Sequence, residues 1–125
     1  MPAAPDRQSL GKAGEDLACR ELERRGYAVV ARRYRTRFGE IDIVAHDHGV
    51  IVFVEVKART SKRYGSAAEA VSFRKRRRIG AMALDYLAWT GGLDRRCRFD
   101  VVAIDGLGGA NPTTRVIQDA FQIGS

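Results

Sequence analysis

The residues best suited to chemistry are Asp42, Glu55 and Lys57, within the stretch Gly39 to Arg59, GEIDIVAHDHGVIVFVEVKAR. This stretch reads as two β-strands joined by a tight turn. Ile41, Ile43 and Ala45 alternate with Asp42 and Val44. After the turn, Val50, Val52, Val54 and Val56 alternate with Ile51, Phe53, Glu55 and Lys57. A period of two in β-branched residues is the pattern of strands. His48-Gly49 suits a two-residue hairpin, because the favoured turns need positive φ and glycine adopts it freely. Pairing Asp47 with Val50 sets Ala45 opposite Val52, Ile43 opposite Val54 and Asp42 opposite Glu55. Lys57 then stands two residues along on the same face. Opposed residues have Cβ atoms about 4.5–5.5 Å apart, so two carboxylates there repel each other. A divalent cation between them reverses the sign. Mg²⁺ is hard, prefers oxygen and is commonly held by one or two carboxylates plus substrate phosphate. A neighbouring lysine can position or deprotonate a water, or stabilise developing negative charge. The competing use of such residues is a charge pair on a solvated edge strand. Apolar residues on both faces of the second strand point instead to an interior strand, where charges need partners.

Asp42 followed by Glu55-Val56-Lys57 resembles the D…(D/E)-x-K signature of the restriction-endonuclease-like nuclease superfamily. Gly14-Glu15, Gly26-Tyr27, Gly39-Glu40-Ile41-Asp42 and Val52-Phe53-Val54-Glu55-Val56-Lys57 together resemble the YraN family of small bacterial proteins, which is similar to archaeal Holliday-junction resolvases. The resemblance spans roughly residues 9 to 121. It implies an α/β fold with an αβββαβ core, a central mixed β-sheet flanked by helices. It further implies a metal-dependent endonuclease that hydrolyses DNA phosphodiesters, with branched or structured DNA as a candidate substrate. In that reading Asp42 and Glu55 bind Mg²⁺ or Mn²⁺, and the Val56 carbonyl completes the protein ligands. Lys57 serves the water, and Glu15 holds a second metal or an outer water. The rival from another class is a nucleic-acid-binding module that keeps the fold without catalysis. A protein-interaction adaptor is a third, separated from both by salt dependence, since DNA binding must weaken steeply with salt.

Composition agrees with a polyanionic partner. The 125 residues hold 22 Lys and Arg against 15 Asp and Glu, a net charge of +7, which favours nucleic acid first and an anionic membrane surface second. Length and a 45% apolar fraction fit one domain over residues 9–125, after a disordered leader at 1–8 containing two of the three prolines. Cys19 and Cys97 lack metal-ligand spacing and fit ordinary buried thiols. No apolar run approaches the roughly 18 residues of a membrane span, and the start lacks a signal-peptide core, so a cytoplasmic protein is expected.

The elements that must position these residues follow in order. Ser9 can cap a helix ending near Arg25, with Leu10, Ala13, Gly14, Leu17, Ala18 and Leu22 as its buried stripe. Glu15 lies at the flank of that stripe, either reaching into a cleft or remaining a solvated first-turn carboxylate. Glu21 competes for the same role, or pairs with a nearby arginine. Tyr27 to Tyr34 is a first strand. The arginines at 32, 33, 35 and 37 follow, close in sequence to the carboxylates; they either contact phosphate, with Arg35 and Arg37 as the candidates, or form an ordinary solvated strand end. Glu40, opposite Lys57 in this register, reads as a supporting partner for it rather than a site carboxylate, and His46 and His48 are expected at the far hairpin tip, outside the site. Lys62, Arg63 and Tyr64 belong to a polar loop that either meets nucleic acid or merely connects. A second helix is expected over Ala68 to Trp89, with Val71, Lys75, Ile79, Met82, Tyr86 and Trp89 on one stripe. Lys75 is the odd member, either snorkelling to an edge or pointing at the site. With Arg74, Arg76, Arg77 and Arg78 it forms a run whose density favours polyanion binding. Beyond Ile79 the helix is apolar nearly all round, which suggests burial against the sheet or at a homodimer interface. Arg98 to Asp105 and Thr114 to Phe121 are the last strands, the second at an edge.

Overall fold

The computed structural model describes residues 7–60 and 71–122. Its elements are α1 (Arg7–Arg24), β1 (Ala28–Thr36), β2 (Gly39–Asp47), β3 (Val50–Arg59), α2 (Phe73–Thr90), β4 (Cys97–Asp105) and β5 (Thr113–Ile117). The strands form one sheet in the order β1-β2-β3-β4-β5. Only the β3–β4 pair is parallel among these neighbours; the rest are antiparallel. This is a mixed α/β sheet with β3 at its centre.

The hairpin forms because its tip can. His48 (φ 51) and Gly49 (φ 85) both take positive φ, the signature of a type I′ turn whose twist matches the strands. The expected register is observed from Asp47 opposite Val50 to Ile43 opposite Val54.

Each helix covers one face of the sheet. Under α1, Ala18, Cys19 and Leu22 pack on Ile43, Val52, Val54, Val102 and Ile104. Under α2, Ile79, Met82 and Tyr86 pack on Val44, Ile51, Phe53 and Val101. Burying a side chain of this kind contributes about 1.5–3 kcal/mol, and β3, covered on both faces, has the near-continuous apolar run expected of it. Among the described residues no helix is long and apolar enough to cross a membrane.

Several sequence expectations need correction. The first helix begins at Arg7, so Ser9 lies inside it rather than capping it. Ala13 is exposed, and Cys19 takes the buried place expected of it. The second helix begins at Phe73, not Ala68. Ser72 is its N-cap, accepting a hydrogen bond from the Lys75 amide at 3.2 Å. Trp89 projects outward at 79% exposure, because one turn beyond Tyr86 the helix has run past the sheet. Both cysteines are free, and Cys97 is exposed. The last strand ends at Ile117, where the chain turns inward to bury Phe121. The loop residues Lys62, Arg63 and Tyr64 fall outside the described residues.

Candidate active site

The site begins where β2 leaves β3. Ladder pairing stops at Ile43 and Val54, so the next backbone amide of β3 that would meet β2 needs another acceptor. Asp42 supplies it: the Val56 N–H donates to Asp42 Oδ2 at 2.8 Å. Strand alternation also breaks here. Ile43 and Ala45 pack under α1, yet Ile41 packs under α2. On the other side of β2, Arg33 falls between the paired positions Arg32–Ile43 and Tyr34–Ile41, and it adopts φ 51. A positive φ in a non-glycine residue within a strand is uncommon and locally strained. The twist exposes Asp42 to both sides of the sheet. It lines one pocket with Glu55, Lys75 and Arg78, and a second pocket with Glu15, Val56 and Ala58.

Glu55 is buried at 8% exposure, and its carboxylate is ion-paired with Lys75 Nζ. The helix position that looked anomalous in an apolar stripe is therefore aimed at the site, one turn in from the Ser72 cap. Lys57 stands beside Lys75, and the two amines are within hydrogen-bonding contact. The electrostatics follow from this crowding. Burial and the Glu55 charge push the Asp42 carboxyl up to about 7, against the opposing hydrogen bond from Val56. Contact with Lys75, then burial, pushes the Lys57 amine down from the ordinary lysine range. Burial works against the Lys75 charge, but Glu55 and Lys57 outweigh it and raise its affinity for a proton.

Glu15 approaches from α1. Gly14 lies against β3 here: a Cβ at this position would meet the Ala58 Cβ at 3.4 Å. Glu15 is held by Arg33, whose Nε lies 2.9 Å from both carboxylate oxygens, and by Arg32 at 3.6 Å. These two arginines, read as meeting either phosphate or solvent, instead hold Glu15 and Asp16. Nothing in the local sequence marks that pairing, which joins positions 18 residues apart.

Glu40 does not partner Lys57. Once the ladder has ended the two strands diverge, and Glu40 pairs with Arg35 at 3.1 Å. Glu21 is out of contention: Arg24 and then Arg25 hold it on the surface and keep its carboxyl down at about 2. Of the proposed cations, Lys75 and Arg78 line the carboxylate pocket. Arg35 and Arg37 line a separate groove with Tyr34, Asp85 and Trp89. Arg76 bonds the Val71 carbonyl at 3.2 Å and lies over the Phe121 ring, which ties the start of α2 to the chain's end. Arg77 is exposed. His46 and His48 sit near the distant hairpin tip, where His48 contacts Asp47.

A hard divalent cation fits this donor set. Burial first, and the neighbouring Glu55 charge second, raise the Asp42 carboxyl; a cation beside it would relieve the second of these. Among the described residues no group of three or more His, Cys, Asp or Glu converges on one point. Mg²⁺ does not require one, since it keeps several waters and takes its remaining ligands from substrate. A second buried polar cluster is structural. Asp100 is fully buried and accepts hydrogen bonds from Tyr27, Arg98 and the Asp119 amide at 2.8–3.0 Å.

Comparison with known proteins gives a consistent result. A profile described as "Uncharacterised protein family UPF0102" matches residues 14–104. A UPF0102 protein of Symbiobacterium thermophilum is 46% identical over 112 residues, covering 90% of this chain and 95% of its own length. One from Rhodococcus jostii is 47% identical over 113 residues, covering 90% and 96% respectively. One from Ralstonia nicotianae is 45% identical over 128 residues, covering 98% and 93%.

Proposed function

The chain belongs to the UPF0102 family, and we propose that it is a metal-dependent endonuclease acting on DNA phosphodiesters, on a restriction-endonuclease-like core. One observation carries the reading. Two carboxylates from strands that part beside them face a single pocket in which Lys75 and Arg78 are the cations. The element order, α then three strands, α then two strands, supports it, as does the net charge of +7.

Asp42, Glu55 and the Val56 carbonyl would hold Mg²⁺ or Mn²⁺. Such a cation polarises a phosphoryl oxygen and lowers the pKa of an attacking water. The chain's own residues do the rest. Lys57, with its lowered proton affinity, orients that water and receives its proton. Lys75 and Arg78 meet the phosphate and stabilise charge as it develops. Glu15, fixed by Arg33, orders solvent in the second pocket next to Asp42.

The test is cleavage of labelled duplex, single-stranded and four-way-junction DNA with Mg²⁺, Mn²⁺ or EDTA. Glu55→Gln should reduce metal-dependent cutting by more than the roughly 10–100-fold typical of outer-shell changes. Equal cutting by wild type and variant would remove Glu55 from the chemistry. The second reading is a non-catalytic nucleic-acid-binding module, favoured by the Lys75–Glu55 ion pair, which already neutralises one carboxylate without a metal. Tight, salt-sensitive binding with no cutting of any substrate would select it.

A further inference from the structure

Helix α2 has two apolar stripes. The inner one, which includes Ile79, Met82, Ala83 and Tyr86, is buried on the sheet. The outer one consists of Ala81, Leu84 and Ala88, and with Asp85 it lines a groove completed by Arg37, Phe38 and Leu93. Spacings of three, four and seven residues keep these positions on one side of a helix. Leu84 is 61% exposed, Leu93 63% and Phe38 44%. Apolar side chains scattered singly on a surface are ordinary, whereas a contiguous set around a groove marks a contact surface.

The charges at its edge say what the contact is. Arg37 and Asp85 line both this groove and the adjoining one that holds Trp89. Among the described residues neither has an ion-pair partner within the chain. A patch carrying both signs beside an apolar ridge is complementary to itself, since a two-fold axis sets each arginine against the other copy's aspartate. The helix surface allows the approach. Ala81 and Ala88 leave hollows about one turn either side of Leu84, so antiparallel helices can seat each Leu84 in the other's hollow. Nucleic acid fits the groove poorly, because its walls are mainly aliphatic and it carries a carboxylate. The turn at residues 37–38 separates it from the carboxylate pocket, which Gly39 and Glu40 line.

We propose that this face of α2 is a self-association surface, and that two copies of the chain pair through it about a two-fold axis, with Leu84 at the centre and Arg37 meeting Asp85 twice. The surface is independent of the reaction assigned above. The test is sedimentation of the full chain over a dilution series, with melting curves to verify folding. Wild type should sediment at twice the monomer mass, and Leu84→Asp, a change at an exposed position, at the monomer mass. Arg37→Asp and Asp85→Arg should each weaken pairing by opposing like charges. An equimolar mixture of the two should restore it, because both cross-pairs are then opposite in sign. A wild type that stays monomeric overturns the proposal. So does a dimer that survives Leu84→Asp, or a mixture that remains monomeric.

Discussion

Asp42 is the residue at which the fold and the chemistry meet. Its Oδ2 replaces a lost strand partner for Val56, while burial and Glu55 drive its carboxyl up to about 7. The sign of the consequence is fixed by linkage. Between the ordinary carboxylate range and about 7, the folded chain retains a proton that the unfolded chain has lost, so stability falls as pH rises through that window. Asp42→Asn keeps an oxygen for the Val56 amide and removes the titration. In metal-free buffer, the melting temperature of wild type relative to this variant should therefore drop between pH 4 and pH 8. A difference that stays flat with pH would show that Asp42 is ionised throughout. Lys75 gives a prediction of a different kind. Its ammonium occupies the charge position that a metal would take beside Glu55. Lys75→Met should strengthen Mn²⁺ binding on the order of tenfold, as about 1.4 kcal/mol of removed competition gives, while DNA cutting falls. Weaker Mn²⁺ binding in the variant would mean that the lysine orders the carboxylates rather than competing for them. Strand period and turn type made the register legible from Asp47–Val50 to Ile43–Val54, but not that the ladder ends one residue short of Asp42 and Glu55. The sequence left the role of Glu15 open and assigned Glu40 to Lys57 wrongly, because their partners, Arg33 and Arg35, are chosen by tertiary approach and not by spacing.

At the scale of elements, periodicity carried the hairpin and failed where geometry departs from the ideal. The pairing from Asp47–Val50 to Ile43–Val54 needed only a turn and an alternation. Ile41 read as sharing a face with Ile43, yet the two enter different cores, because β2 rotates at Asp42 opposite the left-handed Arg33. No propensity encodes that rotation; it arises from the parting of β2 and β3. Helix α2 was read as starting five residues early, because its apolar stripe extrapolates back to Val71. That residue is buried by position but precedes the Ser72 cap. The helix that results is electrostatically awkward. Its first turn holds Arg74, Lys75 and Arg76 and no acid, whereas the positive end of a helix dipole favours carboxylates. Arg74 is exposed, so Arg74→Glu should stabilise the fold by about 0.3–1 kcal/mol in denaturant titrations. The same change should weaken DNA binding. If instead the substitution destabilises the fold, Arg74 has a structural partner that offsets the dipole.

For the whole molecule, the excess of positive charge is informative only through its placement. Arginines that look equivalent in sequence divide by their contacts. Arg32, Arg33 and Arg35 neutralise acids, and Arg76 is engaged with Val71 and Phe121. Of the basic run, Lys75 and Arg78 line the carboxylate pocket, and Arg77 is exposed on the same helix. Two sites of unlike purpose are thus drawn from one basic run. Binding to duplex DNA releases about 0.9 counterions per neutralised phosphate, so the slope of log affinity against log salt counts the contacts. Replacing both Arg77 and Arg78 with alanine should lessen that slope by about 2 and leave the melting temperature nearly unchanged. Arg76→Ala should behave in the opposite way, lowering the melting temperature with little effect on the slope. Its guanidinium holds the Val71 carbonyl and covers Phe121, and it is not free to meet a phosphate without releasing them. If all three substitutions change the slope equally, the basic run acts as a diffuse charge cloud and the division by contacts is wrong. If none does, the basic run of α2 is not a DNA-binding surface.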